Sequence, residues 1–118
     1  MQTVAIIGSG TMGSGIAQAA ALGGYDVILY DLSTDLLARS MTQMKKSIDK
    51  GVARGKTEPA VAERAKEAVK TTTSLTEAAT ADLIIEAVPE KMSLKREIFT
   101  ILEAAAAPHA IFASNTSS

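Results

Sequence analysis

Short apolar runs and longer amphipathic stretches alternate along the chain. Runs rich in apolar and β-branched residues predict strands, and stretches whose apolar residues recur at helical spacing predict the helices between them. The predicted strands are Thr3–Ile7, Asp26–Tyr30, Thr71–Thr73, Asp82–Val88 and Ala110–Ser114. The predicted helices are Gly13–Leu22, Thr34–Ala53, Pro59–Val69 and Ser93–Ala107, with a short helix or turn at Thr76–Thr80.

Residues that favour helix ends mark several of these boundaries. Gly23 and Gly24 end the first predicted helix, and Ser33 is a candidate N-cap of the second. Pro59 suits the first turn of the third helix. Apolar residues behind Ser33 predict an amphipathic helix; they are Leu36, Leu37, Met41, Met44 and Ile48.

The order of these elements predicts an α/β domain. Strands that are apolar throughout are typical of a parallel sheet that is covered on both faces. With helical crossovers, they predict a Rossmann-type doubly wound sheet of about five strands, with a helical excursion between the second and third. Ligands of such sheets bind where the strands end. The loops after Ile7, Tyr30, Val88 and Ser114 are therefore expected to face a ligand.

Composition narrows the class of protein. The 118 residues are 47% apolar and 21% charged, as in a single soluble globular domain. We expect no nucleic-acid partner, because the net charge is −1 and the chain has only two Phe, two Tyr and no Trp. The lack of cysteine excludes disulfides, thiolate metal ligands and a cysteine nucleophile, and we predict no metal site. The N-terminal apolar run is too short for a membrane span, so we predict a cytoplasmic protein.

A glycine-rich turn lies between the first predicted strand and helix. Gly8 permits a tight turn, Gly10 lets a phosphate approach the backbone, and Gly13 lets the helix pack closely on the sheet. The helix that starts near Thr11 to Gly13 then presents backbone N–H groups to a pyrophosphate. Asp31 ends the second strand, where a carboxylate accepts ribose hydroxyls and repels a 2′-phosphate. This pairing predicts NAD; the alternative is a plain turn and a helix-capping aspartate.

Four segments together resemble a known family. They are Gly8-Ser-Gly-Thr-Met-Gly-Ser-Gly-Ile-Ala17, Glu86-Ala-Val-Pro-Glu90, Lys95 and Phe112-Ala-Ser-Asn-Thr-Ser-Ser118. The whole chain resembles the N-terminal domain of L-3-hydroxyacyl-CoA dehydrogenases, including bacterial 3-hydroxybutyryl-CoA dehydrogenases. The resemblance implies an oxidoreductase of fatty-acid or short-chain acyl-CoA metabolism that moves hydride between NAD and C3 of its acyl-CoA substrate.

The resemblance also implies roles for individual residues. Asp31 would hold the adenosine ribose, and Ser117 would contact the C3 oxygen of the substrate. Without the resemblance, Glu90 and Lys95 would be interpreted as a solvated pair at a helix start, and Asn115 as part of a turn. Thr11 and Met12, at the predicted helix start, are further candidate cofactor contacts. Those that the resemblance implies are Ala87, Val88, Glu90, Lys95 and Asn115.

A basic surface is predicted on the second helix. Ser47, Lys50 and Arg54 share one helix face, with Lys46 and Lys56 nearby. In the resembled family this helical excursion contacts the CoA nucleotide. Ser47 and Arg54 occupy the matching positions and are candidate phosphate contacts. The alternative is an ordinary solvated basic face.

The catalytic histidine of the resembled family belongs to a Gly-x-His-Phe-Phe-Asn-Pro segment that is not found in residues 1–118. His109 precedes the last predicted strand, so it is expected at the surface, at the edge opposite the cofactor. We interpret residues 1–118 as a truncated NAD-binding domain without the helical C-terminal domain, inactive alone and part of a homodimeric enzyme. Two alternatives stay open: a dehydrogenase of free hydroxy acids or sugar acids, and a non-catalytic NAD-binding module.

Overall fold

The computed structural model describes residues 3–87 and 100–114. The strands are β1 (Thr3–Ile7), β2 (Asp26–Tyr30), β3 (Val69–Thr72), β4 (Leu83–Glu86) and β5 (Ile111–Ser114). The helices are α1 (Thr11–Leu22), α2 (Thr34–Ala53), α3 (Pro59–Ala68) and the single turn α4 (Leu75–Ala78). Residues 100–105 are also helical.

The five strands form one parallel sheet in the order β3-β2-β1-β4-β5. The last residues of all five strands are in register; they are Thr72, Tyr30, Ile7, Glu86 and Ser114. Strand order reverses beside β1, since the chain continues to β2 on one side and reaches β4 on the other. Ligands of doubly wound sheets bind at such a reversal, outside the carboxyl ends of the strands. The predicted Rossmann-type α/β fold is confirmed.

Apolar side chains cover both faces of the sheet, because successive strand residues point to opposite sides. One face packs Val4, Ile6 and Leu29 against α1, α2 and α3. The other face packs Ile7 and Ile84 with Ala78 of α4 and with Leu102 of the helical segment at residues 100–105. Helices therefore lie on both faces, which leaves the two ends of the strands as the places where polar chemistry can be exposed.

Several element boundaries match the prediction, and others differ by one or two residues. The bounds of β1, β2 and α2 are as predicted, whereas α1 begins two residues earlier, at Thr11. The third strand begins at Val69 because this residue ends α3 with extended backbone angles and buries its side chain against the sheet. Helix α3 therefore leads into β3 without a loop. The predicted helix at Ser93–Ala107 is helical at residues 100–105, and its first seven residues lie outside the described residues.

Helix α2 is amphipathic, as predicted, and its cap is confirmed. The Ser33 hydroxyl accepts a hydrogen bond from the Leu36 N–H at 3.2 Å. The buried stripe consists of Leu37, Ser40, Met44 and Ile48. Leu36 is 47% exposed and does not join this stripe, contrary to its place in the predicted apolar face. None of the helices in the described part of the chain is long and apolar enough to cross a membrane.

Candidate functional site

The turn after β1 depends on two glycines. Gly8 has φ of +112°, a left-handed conformation that side chains disfavour, and its N–H donates to the Tyr30 carbonyl oxygen at 2.8 Å. A Cβ atom at Gly13 would lie 1.8 Å from the Gly8 carbonyl oxygen. Helix α1 thus approaches the turn more closely than any side chain at Gly13 would permit. The packing role predicted for Gly13 agrees with this contact.

The N-terminus of α1 is open to the carboxyl edge of the sheet. Its N-cap, Gly10, makes no side-chain cap, and the first turn contains no acidic residue. A Cβ atom at Gly10 would meet no atom of the described residues within 4 Å. Gly10, Thr11 and Met12 are all exposed. The first N–H groups of a helix have no carbonyl partner within the helix, so this end offers donors and positive potential to an anion.

Asp31 lies directly beside this turn. Because Ile7 and Tyr30 are paired at the ends of β1 and β2, Ser9 meets the residue that follows β2. The Asp31 Oδ2 atom accepts hydrogen bonds from the Ser9 N–H at 2.9 Å and from the Ser9 hydroxyl at 2.7 Å. The Asp31 Oδ1 atom accepts one from the Leu32 N–H at 2.7 Å. The structure thus brings the predicted acid to the predicted phosphate turn.

These hydrogen bonds keep the Asp31 carboxylate ionised. Burial alone would raise its pKa, but bonds from the Ser9 hydroxyl and from the N–H groups of Ser9, Leu32 and Ser33 outweigh burial. The pKa of Asp31 therefore lies below the ordinary aspartate value. Burial, and then the charge of Asp31, raise the pKa of the Tyr30 phenol. At neutral pH the site holds a negative charge that accepts hydroxyl groups and repels phosphate.

A hydrogen-bonded network of three serines supports the turn. This network was not predicted from the sequence. Ser9 and Ser40 are buried, at 6% and 4% exposure. The Ser14 hydroxyl donates to the Ser9 carbonyl oxygen at 2.8 Å and also bonds to the Ser40 hydroxyl. The signal for Ser9 was available, because the residue after Gly8 faces the end of the neighbouring strand once β1 and β2 are paired in register.

The other predicted cofactor contacts fall mainly outside the described residues. Ala87 follows β4, and its N–H donates to the Ile7 carbonyl oxygen at 2.8 Å, which places it next to the turn. Glu86, which precedes it, is fully buried. The roles of the remaining residues stay predictions outside the described residues; these are Val88, Glu90, Lys95, Asn115 and Ser117.

The predicted basic surface is exposed. Ser47 and Lys50 are exposed on α2, and Arg54 is its exposed C-cap residue. The Gln18 side-chain amide donates to the Ser47 hydroxyl at 3.0 Å and so joins α1 to α2. The structure thus leaves these side chains accessible from solvent. Their contact with CoA phosphates stays a prediction.

His109 lies at the opposite edge of the sheet, as predicted. Its Nε2 atom is 2.7 Å from Asp82 Oδ1, and the other oxygen of Asp82 accepts a hydrogen bond from the Thr3 N–H at 3.0 Å. Thr3 begins β1 and Asp82 immediately precedes β4, so this cluster is at the amino ends of the strands. The His109 side chain is 65% exposed. It is a surface residue remote from the Gly8–Gly13 turn.

The parallel sheet, the glycine turn and the carboxylate at the end of β2 define a Rossmann-type nucleotide-binding domain. The family profile described as "3-hydroxyacyl-CoA dehydrogenase, NAD binding domain" matches residues 3–118. The chain belongs to this family, and its cofactor is NAD.

Several proteins similar to this chain have names that refer to the same family. The chain is 40% identical over 118 residues to the 3-hydroxyadipyl-CoA dehydrogenase of Escherichia coli, covering 100% of this chain and 25% of that protein. It is 44% identical over 123 residues to a mitochondrial hydroxyacyl-coenzyme A dehydrogenase of Rattus norvegicus, covering 98% and 38%. A crystal structure of 3-hydroxybutyryl-CoA dehydrogenase from Escherichia coli superposes with a TM-score of 0.95 at 40% identity, covering 99% and 25%. The chain thus spans 25% to 38% of these relatives.

Proposed function

We propose that this chain is the NAD-binding portion of a dehydrogenase that transfers hydride between NAD and C3 of a 3-hydroxyacyl-CoA or 3-ketoacyl-CoA. A short substrate such as 3-hydroxybutyryl-CoA is favoured by the resemblance and by the name of the similar crystal structure. The observation that carries the proposal is the pairing of the uncapped α1 N-terminus with the ionised Asp31 carboxylate at one sheet edge. The helix N-terminus suits the pyrophosphate of NAD, and the carboxylate suits the hydroxyls of its adenosine ribose.

The residues present fit the cofactor. The open space at Gly10 would admit a phosphate to the backbone, and N–H groups at the start of α1 would bind its oxygens. Asp31 would accept the hydroxyls of the adenosine ribose. NAD supplies the chemistry of accepting or donating hydride, whereas the protein binds and orients it. Nothing in this arrangement needs a lysine at the phosphates.

The nicotinamide end is assigned through the resemblance. Ala87, which bonds to the Ile7 carbonyl, would line the path of the cofactor together with Val88. The nicotinamide ribose and its neighbouring groups would be contacted by Glu90, Lys95 and Asn115. A carboxylate, an amine and an amide suit groups that both donate and accept hydrogen bonds. Ser117 would orient the C3 oxygen of the substrate.

Removal of the hydroxyl proton requires a base, and the part of the chain that the structure describes has no histidine at this edge. The only histidine of the sequence, His109, is bonded to Asp82 at the opposite edge. A general base must lie within hydrogen-bond reach of the proton that it abstracts. We therefore propose that the base is a histidine outside residues 1–118 and that this chain alone binds NAD without efficient turnover. We also propose that the full-length enzyme is cytoplasmic and homodimeric.

The substrate proposal is tested by oxidation of NADH with the full-length protein. Acetoacetyl-CoA is expected to be reduced much faster than free acetoacetate, because the CoA moiety supplies binding energy that the free acid lacks. Equal rates with acetoacetate or with a sugar acid would instead support the dehydrogenase of free acids. Cofactor binding without turnover of any of these substrates would support the non-catalytic module.

The CoA contact is tested separately with Arg54→Ala. Removal of an exposed guanidinium that binds a phosphate is expected to raise KM for acetoacetyl-CoA about threefold to tenfold with little change in kcat. Lys70→Ala is the control, because Lys70 is an exposed cation on β3, away from the α2 surface. An unchanged KM in the Arg54 variant would remove this contact from the proposal.

A further inference from the structure

Ser9 makes two hydrogen bonds to one oxygen of the acid that would recognise the ribose. Its N–H and its hydroxyl both donate to Asp31 Oδ2, at 2.9 Å and 2.7 Å. A carboxylate oxygen accepts about two such bonds, so Oδ2 is saturated by Ser9 alone. Oδ1 accepts from Leu32 at 2.7 Å and retains the capacity for a further donor.

The position of Ser9 is itself fixed by its neighbours. Ser9 is only 6% exposed, and its carbonyl oxygen accepts the Ser14 hydroxyl at 2.8 Å. Because a serine hydroxyl has one proton, Ser14 uses it on Ser9, and the Ser40 hydroxyl must therefore donate to Ser14. Ser9 is held on one side by α1 and α2 and uses its own proton on Asp31. The carboxylate is thus clamped before any ligand binds.

We propose that Ser9 is a positioning residue that sets cofactor choice: it clamps Asp31 Oδ2, leaves Oδ1 for the adenosine ribose, and prevents the carboxylate from turning away from a 2′-phosphate. This inference rests on the proposed function, in which Asp31 binds the ribose. A free aspartate side chain rotates at small cost, and rotation would relieve the repulsion between its charge and a phosphate. A clamped carboxylate keeps that repulsion and also binds ribose hydroxyls without losing side-chain entropy.

The charged surroundings of Asp31 are consistent with this role. The Tyr30 phenol, on the same strand, is a titratable group that responds to the charge of Asp31. The influences that lower the pKa of Asp31 are hydrogen bonds from Ser9, Leu32 and Ser33, and the Ser9 hydroxyl is the strongest of them. Loss of that hydroxyl should therefore leave Asp31 ionised at neutral pH but raise its pKa.

The test is Ser9→Ala in the full-length protein, with Kd for NAD⁺ and NADP⁺ measured by calorimetry at neutral pH. Hydrogen bonds to charged groups are strong, so Kd for NAD⁺ is expected to rise about tenfold. Kd for NADP⁺ is expected to rise less or to fall, so the ratio of Kd for NADP⁺ to Kd for NAD⁺ should decrease. The pKa of Asp31, followed by ¹³C NMR of labelled aspartate, is expected to rise. A purely structural role for Ser9 would weaken the binding of both cofactors equally and leave the ratio of their Kd values unchanged.

Two further variants make the result decisive. Ser9→Gly also lacks the hydroxyl but keeps the N–H, and it replaces the alanine variant if that protein does not fold. Ser74→Ala removes the hydroxyl that caps α4, and it is expected to leave the cofactor ratio unchanged. If wild type binds NAD⁺ while the Ser9 variants keep its ratio of Kd values for the two cofactors, the Ser9 inference is wrong. If wild type shows no affinity for NAD⁺, the proposed function fails as well.

Discussion

Helices α1 and α2 both begin at the carboxyl edge of the sheet, but their N-termini are completed differently. Helix α2 is capped by the Ser33 hydroxyl, which accepts from the Leu36 N–H, and Asp35 lies in its first turn. Helix α1 begins at Gly10 with no side-chain cap and no acid in its first turn. At both ends the first N–H groups have no carbonyl partner within the helix, and the positive end of the helix dipole lies there. Of the two helices, α2 has a side-chain cap within the described residues and α1 does not.

The difference teaches where an anion is expected. A helix end that lacks an internal partner is stabilised by an anion from outside, whereas a capped end gains little from one. The acid nearest the start of α1, Asp31, directs Oδ2 to Ser9 and Oδ1 to Leu32. Asp31 is therefore not used as a cap of α1, which agrees with our proposal that the α1 N-terminus binds the cofactor pyrophosphate.

Gly13→Ala should break the α1 site most severely. The new Cβ atom would lie 1.8 Å from the Gly8 carbonyl oxygen, and both groups are backbone or rigidly attached to it. Either the turn or the helix must move, so we expect a loss of more than about 3 kcal/mol in the free energy of unfolding and no measurable NAD⁺ binding. Denaturant unfolding and calorimetry measure the two effects.

Gly15→Ala is the matched control within α1. A Cβ atom at Gly15 would meet nothing within 4 Å among the described residues, and alanine favours the helix over glycine. We expect this variant to gain up to about 1 kcal/mol in stability and to bind NAD⁺ normally. Equal behaviour of the two alanine variants would contradict the close packing of α1 on the turn.

Gly10→Ala should separate binding from folding. Gly10 has φ of −65° and open space where the Cβ atom would be, so alanine fits without strain. The methyl group would instead occupy the approach of a phosphate to the backbone. We expect a loss of no more than about 1 kcal/mol in stability, because alanine is a poorer N-cap than glycine, and a rise of at least about tenfold in Kd for NAD⁺. Normal NAD⁺ affinity in this variant would place the pyrophosphate elsewhere.

The spacing of apolar residues predicted most of the fold, because residues that are buried in a strand or helix must recur at the period of that element. The bounds of β1, β2 and α2 were predicted to the residue, since each lies between clear polar or glycine boundaries. The prediction began β3 too late because Val69 ends a helix and starts a strand at once. A helical pattern contains no signal for the residue at which sheet pairing takes over. Leu36 was misassigned because apolar character does not reveal which edge of a helix faces solvent.

The candidate site was only partly readable from the sequence. The glycine spacing and the position of Asp31 depend on short-range order along one βαβ unit, which a motif records. The clamp by Ser9 depends on the register between β1 and β2, and the serine network depends on α2 crossing beside α1. Such contacts between elements distant in sequence follow from packing, so a motif that covers one segment does not contain them.

Asp31→Asn should sharpen the distinction between the two acids near this edge. The amide keeps the shape of the side chain but loses the charge, so we expect Kd for NAD⁺ to rise about tenfold and the preference over NADP⁺ to weaken. Asp35→Asn removes an acid from the first turn of α2 instead. Its expected effect is a loss of about 0.5 kcal/mol in stability, with NAD⁺ binding unchanged. Calorimetry with both cofactors compares the variants.

The Asp31 carboxylate should also give stability a pH dependence. Its pKa is lower in the folded chain than the ordinary value, so its contribution is present at neutral pH and is lost as pH falls below about 4, through the folded pKa. In Asp31→Asn this part of the acid destabilisation should be missing. Urea unfolding of both proteins between neutral pH and about pH 3 measures it. Parallel acid curves would contradict the assigned shift.

Ser33→Ala should have little effect on NAD⁺ binding, and its effect on stability should be confined to α2. Loss of the hydroxyl that accepts from the Leu36 N–H is expected to reduce the free energy of unfolding by about 1 kcal/mol. The Ser33 N–H, which helps to lower the pKa of Asp31, is retained in alanine, so Kd for NAD⁺ should stay within about twofold of wild type. The opposite pattern, in which binding fails and stability holds, would mean that the cofactor uses the α2 N-terminus. That result would overturn the contrast between the two helix ends, because α2 would then be the end that depends on an external anion.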